Sequence, residues 1–91
     1  MRNEMNEEQV KELTDKIISG IVCASYNVNY TADEKDILRN HVNYGMLTAY
    51  ADIHRRIGHD VEIDSADDGD MIRIHRVKLG MAVIDYRKMG E

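Results

Sequence analysis

The chain has no proline, no tryptophan and a single cysteine, Cys23, among its 91 residues. One cysteine excludes an intramolecular disulfide framework, the usual brace of a small secreted domain, and makes a reducing cytoplasm the expected compartment. The opening "MRNEMNEEQVKE" lacks the apolar centre of a signal peptide. No stretch approaches the roughly 18–20 continuous apolar residues of a membrane span, so no membrane partner is expected. Basic residues are also in deficit. The net charge of −5 argues against duplex DNA as a partner, because that binding rests on neutralising phosphates.

What is present fits one small domain over residues 1–91. A chain of this size buries only roughly 60–65% of the surface its unfolded form exposes, so its own core is marginal. Charge is unevenly spread. His59 to Asp70, "HDVEIDSADDGD", holds six acids and no Lys or Arg. Met71 to Lys88 holds Arg73, Arg76, Lys78, Arg87 and Lys88 against Asp85 alone. A solvated, internally paired charge run explains this asymmetry; an anion site is the alternative.

Periodicity predicts three helices. Asn6 with Gln9 resembles a capping box, and Val10, Leu13, Ile17, Ile21 and Ala24 recur at three-four spacing, giving a first helix over about 7–25. "YNVNY" reads as a connection, since asparagine favours turns. Thr31 with Glu34 forms a second capping box, opening a helix over about 32–57 that ends at Gly58. Leu38, Val42, Gly45, Ala49 and Ile53 mark its apolar face, with Met46 and Ile57 beside it. At about 26 residues it would be roughly 39 Å long.

The segment "IRIHRVKLGMAVIDYR" carries two parallel stripes, Ile74, Val77, Met81, Ile84 and Lys88, and Ile72, Arg76, Leu79, Val83 and Tyr86. Both suit a third helix over about 68–89, stopped at Gly90. A hairpin of "DVEID" and "MIRIHRV" around "DDGD" is the alternative. The expected fold is therefore all-α, a three-helix antiparallel hairpin or bundle with a long second helix. Leaving Ile72, Leu79, Val83 and Tyr86 in water would forgo about 6–12 kcal/mol at roughly 1.5–3 each. That rivals the roughly 5–15 kcal/mol stability of a small domain. A homo-oligomer covering the second stripe is expected, with Gly80 allowing close approach; the first helix covering both stripes is the alternative.

Several chemistries fail on their residues. "DSADDGDMIRIH" imitates a calcium loop, but Ala66 and His75 stand at its third and twelfth positions, where ligands belong. His41, His54, His59 and His75 form no metal-binding spacing, and Cys23 has no cation pattern to activate it. "LTAYADIHRRIGHDVEID" resembles a helix-turn-helix with an acidic reading segment, which phosphates would repel. No phosphate loop or nucleophile elbow occurs. No activated nucleophile pairs with a general base, so no catalytic residues, no metal and no cofactor are assigned, and a binding protein is expected rather than an enzyme.

One constellation remains. His41, Tyr44, Thr48 and Arg55, at steps of three, four and seven, share a face of the second helix. Arginine forks suit phosphate oxygens, and tyrosine rings stack on bases. Set against Arg73, Arg76 or Arg87, this face could hold a phosphorylated small molecule. A polar interface between helices is the competing reading.

"TADEKDILRNHVNYG", "LTAYADIH" and "RVKLGMAVIDYR", together spanning Thr31 to Arg87, resemble the helical-hairpin sponges that phages deploy against CBASS and Thoeris defence. The resemblance implies an oligomer in the host-cell cytoplasm that sequesters cyclic oligonucleotide signals without cleaving them. It would place Arg73, Arg76 and Arg87 on phosphates and Tyr44 on a base. The alternative function is a small helical protein-protein interaction module, an inhibitor or scaffold, with no small-molecule ligand.

Overall fold

A computed structural model describes residues 6–30 and 36–89 of the chain. It holds two long helices, α1 (Glu7–Tyr30) and α2 (Ile37–Arg56), and three strands, β1 (Val61–Asp68), β2 (Met71–Leu79) and β3 (Ala82–Asp85). A single helical turn, α3 (Tyr86–Met89), follows. The strands form one antiparallel sheet in the order β1-β2-β3. The all-α bundle is thus overturned: the segment expected as a helix over 68–89 is mostly sheet, and the hairpin alternative is what forms.

The helix ends follow the local chemistry. Asn6 Oδ1 accepts from the Gln9 amide at 2.8 Å while Gln9 Oε1 accepts from the Asn6 amide at 3.0 Å, a reciprocal cap. α1 then runs five residues past Ser25, so "YNVNY" is helical rather than a connection. Tertiary bonding explains this: Val28 is buried and Asn29 is bonded to β2. The expected Thr31–Glu34 cap lies outside the described residues. Asp36 caps α2, accepting from the Arg39 amide at 2.9 Å. At its other end the amide of Gly58 reaches the Arg55 carbonyl and that of His59 reaches the His54 carbonyl, with Gly58 at φ +93°. This is a Schellman termination, which needs the left-handed conformation glycine adopts without strain.

Both hairpins turn on two residues, Gly69–Asp70 and Gly80–Met81. In each, glycine takes positive φ (+68° and +60°) and the next residue does not, the pattern of II′ turns. Gly80 therefore closes a hairpin and has no part in a helix seam. β2 carries a bulge: Asp64 opposes Arg76 and Ser65 opposes Ile74, leaving His75 without an opposite residue. The bulge shifts the alternation by one. Ile72, Ile74, Val77 and Leu79 consequently all turn toward the helices. Their spacing of two, three, two imitates a helical stripe, which is why periodicity misread them.

Ile17, Ile21, Ala24 and Val28 from α1, Leu47 and Ala51 from α2, Val61, Ile74 and Val77 from the sheet, and Tyr86 make the core. Of the first helix's predicted face, Ile17, Ile21 and Ala24 are inside, whereas Val10 and Leu13 are exposed. The two stripes assigned to a third helix do not exist as helix faces. Of the four residues of the second stripe, Tyr86 is buried and Ile72 and Leu79 are partly buried against the core within the chain, whereas Val83 stays half exposed.

α2 is inverted relative to its predicted face. It buries Asn40, Leu47, Ala51 and His54, and turns Leu38, Val42, Gly45, Met46, Ala49 and Ile53 to solvent. Leu38, Val42, Met46, Ile53 and Ile57 are between 37% and 76% exposed. At roughly 1.5–3 kcal/mol per fully buried side chain, a lone protomer forgoes about 4–8 kcal/mol along this stripe. The inner face is chosen by polar demand: Asn40 must reach the sheet, as its hydrogen bonds below make plain.

Candidate functional site

Strand β3 stops opposite Arg76, so residues 71–75 of β2 have no neighbouring strand on that side. Two asparagines occupy the gap. Asn29 Oδ1 accepts from the Ile74 amide at 2.9 Å and its Nδ2 donates to the Ile74 carbonyl at 2.8 Å. Asn40 does the same to Ile72, at 2.7 and 2.9 Å, and its Nδ2 also donates to the Val28 carbonyl at 3.1 Å. Each side-chain amide reproduces the donor-acceptor pair of a missing strand residue. His41 Nε2 lies 2.8 Å from the Asp70 carbonyl, adding a tie from α2 to the hairpin tip.

Beside this junction, the C-terminal end of α1, β2 and the start of α3 enclose an open cleft of about 410 Å³. Asn29, Tyr30, Arg73, His75, Tyr86 and Arg87 line it, and Asp67 and Asp68 close the side toward β1. The volume falls in the roughly 300–1,000 Å³ range of small-ligand sites. Arg73 Nε stands 3.8 Å from Asp68, a loose pairing that leaves most guanidinium donors unused. Arg87 grips Asp85 through two nitrogens at 3.2 Å, which raises its pKa further above the ordinary arginine value, the hydrogen bonds first and the adjacent charge second. Tyr86 is hydrogen-bonded to Ser25 in the interior. Burial raises its phenol pKa, and the bond to Ser25 opposes that shift. The ring of Tyr30 sits 6.1 Å from that of Tyr86, so both border the same cleft.

The six residues singled out for ligand binding do not form one site. Arg73 and Arg87 come together in the cleft. Arg76 is exposed, opposite Asp64 on one side and Asp85 on the other in the sheet register. Tyr44 is half-buried against the core, and Thr48 donates to the Gly45 carbonyl of its own helix at 2.8 Å. Arg55 donates to the Val61 carbonyl at 3.0 Å and borders a separate depression with Gly58, His59 and Lys78. Of the four residues expected on one helix face, His41 and Arg55 tie α2 to sheet carbonyls, Tyr44 packs on the core and Thr48 bonds within its own helix.

Sequence reasoning missed Tyr30, His75, Tyr86 and the paired Asp67 and Asp68 as cleft residues. "YNVNY" contained the signal, because two tyrosines and two asparagines at the end of an amphipathic helix are more polar recognition groups than a connection requires. Asp64 and Asp68 lie along an extended strand, not a looped calcium cradle. Among the described residues, no group of three His, Cys, Asp or Glu side chains could hold a metal ion, and no helix is long and apolar enough to cross a membrane. Compared with known proteins, the chain matches no family model, no curated protein and no solved structure.

Proposed function

We propose that this chain is a non-catalytic, cytoplasmic binding protein whose cleft between α1 and the sheet takes a compact phosphorylated ligand. The observation that carries the reading is the convergence of Arg73 and Arg87, fourteen positions apart in sequence, on one cleft with Tyr30, His75 and Tyr86. Guanidinium donors not engaged by Asp68 and Asp85 suit phosphate oxygens. Asp67 and Asp68 on the facing wall accept from ribose hydroxyls or base amines, and a tyrosine ring offers a stacking surface. A nucleotide presents all three kinds of group, which a bare anion does not. The helical sponges named above are built without a sheet, so their ligand residues are not transferred here. Their ligand class, cyclic oligonucleotide immune signals, supplies the first compounds to try.

The test is a thermal-shift series with cyclic di- and trinucleotides and cyclic ADP-ribose isomers, with native mass to detect bound ligand. A ligand at 100 times its Kd adds about 2.7 kcal/mol. For a domain of this size that is a rise of about 10–20 °C. Arg73→Ala and Arg87→Ala should each abolish the shift while leaving the unliganded melt within a few degrees of the parent. A flat response from folded protein, or a shift that survives both substitutions, defeats the reading. A second reading, an interaction module with no small-molecule ligand, is favoured by the apolar stripe that α2 turns to solvent. Under it, binding is lost on substituting that stripe and is indifferent to nucleotide.

A further inference from the structure

The outward face of α2 is the largest feature that neither the core nor the cleft uses. Its stripe runs Leu38, Val42, Gly45, Met46, Ala49 and Ile53 with no charged residue among them. From Leu38 to Ile53, within the 20 residues of α2, it extends about 24 Å. Its order is close to palindromic. About a point between Gly45 and Met46, Leu38 mirrors Ile53, Val42 mirrors Ala49, and Gly45 mirrors Met46. Large residues thus meet at the ends, while in the middle each larger residue meets a smaller one. Apart from its chain neighbours and the backbone of its own helix, nothing lies within 4 Å of where a Gly45 side chain would begin, so that position is open to an approaching backbone.

From this we infer that α2 is the seam of a homodimer, packed antiparallel against α2 of a second copy about a two-fold axis through the Gly45–Met46 level. A two-fold seam must be self-complementary, since one patch meets itself, and the mirrored order meets that condition. An unrelated partner would place no such symmetry on the stripe. Charge also permits a like copy despite the net −5. Beside the stripe, Arg39 pairs with Asp36 at 3.5 Å and Arg56 with Asp52 at 2.8 Å, each within its own chain. One side of a helical stripe about 24 Å long and 10–12 Å across offers about 400 Å² per protomer, hence about 800 Å² in all. That is below the roughly 1,000 Å² of a stable specific interface, so the dimer is a weak, concentration-dependent one. The inference stands independently of any ligand in the cleft.

Sedimentation velocity across the micromolar range, on the full chain without ligand, reads the association directly. The parent should move from monomer to dimer as concentration rises. Val42→Glu should remain monomeric with unchanged helix content, and should melt like the parent at concentrations where the parent is itself monomeric, because Val42 is already exposed in the protomer. Orientation is read by charge exchange. Leu38→Lys and Ile53→Glu should each weaken the dimer at least tenfold, and the double variant should restore it, since the antiparallel seam sets Lys opposite Glu. A parent that stays monomeric overturns the inference, and so does a dimer that survives Val42→Glu. A double variant without rescue overturns the antiparallel seam.

Discussion

Asn40 should be one of the costliest single positions in the molecule. It is 1% exposed, and its amide makes three bonds: two to the Ile72 backbone and one to the Val28 carbonyl. Asn40→Ala therefore strands one donor and two acceptors at once. A buried polar group left without a partner costs about 1–3 kcal/mol. Summed at face value, that is about 3–9 kcal/mol. Ile72 is only half-buried and, with Asn40, lines a depression of about 200 Å³, so water can enter and reclaim part of the loss. The lower end, about 3 kcal/mol, is the expected cost. In a domain of this size that lowers Tm by about 12–24 °C. Urea denaturation followed by far-UV circular dichroism measures it, with an unchanged m value confirming that the cooperative unit is intact. Asn40→Asp sharpens the test, because a carboxylate still accepts from the Ile72 amide but cannot donate to either carbonyl. It should be no better than alanine at neutral pH. Asn43 provides the control, its amide reaching the Asn27 carbonyl only at 3.5 Å, and Asn43→Ala should cost less than about 1 kcal/mol. If Asn40→Ala loses no more than Asn43→Ala, or Asn40→Asp matches the parent, the asparagine clamp is not what holds the helices to the sheet.

Two further outcomes follow from the packing. His54 is buried, and its pKa lies below the ordinary 6.5, first because of burial and second because His59 faces it at 3.5 Å between Nδ1 atoms. The unfolded imidazole therefore takes up protons at a pH where the native one stays neutral. This contribution is full well above about pH 6.5 and is lost as pH falls through it, so the urea midpoint should decline from about pH 7.5 downward. The decline should flatten in His54→Asn; equal slopes in parent and variant would remove His54 as the cause. Gly20 faces the ring of Tyr50 across the helix pair, and a Cβ placed there meets ring carbons at 2.7 Å. Gly20→Ala should cost about 1–3 kcal/mol through overpacking. In a Tyr50→Ala background the same change should instead stabilise, by up to about 1 kcal/mol of helix propensity. Chemical denaturation of the four proteins reads the sign reversal.

The sequence was most legible where the chemistry is local. The Asn6–Gln9 cap, the Gly58 termination and the inner face of α1 from Ile17 onward each depend on residues a few positions apart. Legibility failed where a distant partner decides. An amphipathic pattern finds the apolar side of α2 but not which side the fold buries, and Asn40 reaching Ile72 turned the helix the other way. The bulge at His75 gives a strand the three-residue step of a helix, so the hairpin around "DDGD" stands in the sequence only as the alternative to a third helix, and Gly80 reads as a packing gap where a second hairpin turns. For the cleft, the sequence offers Arg73 and Arg87 as residues of a third helix set against the second, about four turns apart rather than together. They meet because β3 folds back along β2 and delivers Tyr86 and Arg87 beside Arg73.

The acidic run from Asp60 to Asp70 acquires a meaning from its position as β1, a rim of the sheet eight residues long. An unpaired rim is a template on which another chain can extend the sheet, and proteins that expose one risk ordered aggregation. No basic residue lies anywhere between His59 and Asp70, so no sliding of one such rim along another, parallel or antiparallel, can bring opposite charges together. Carboxylate meets carboxylate or nothing. Glu62 pairs with Lys78 and Asp68 with Arg73 across the hairpin, so the internally paired charge run that composition describes also makes the β1 rim a border that repels the same rim of a second copy.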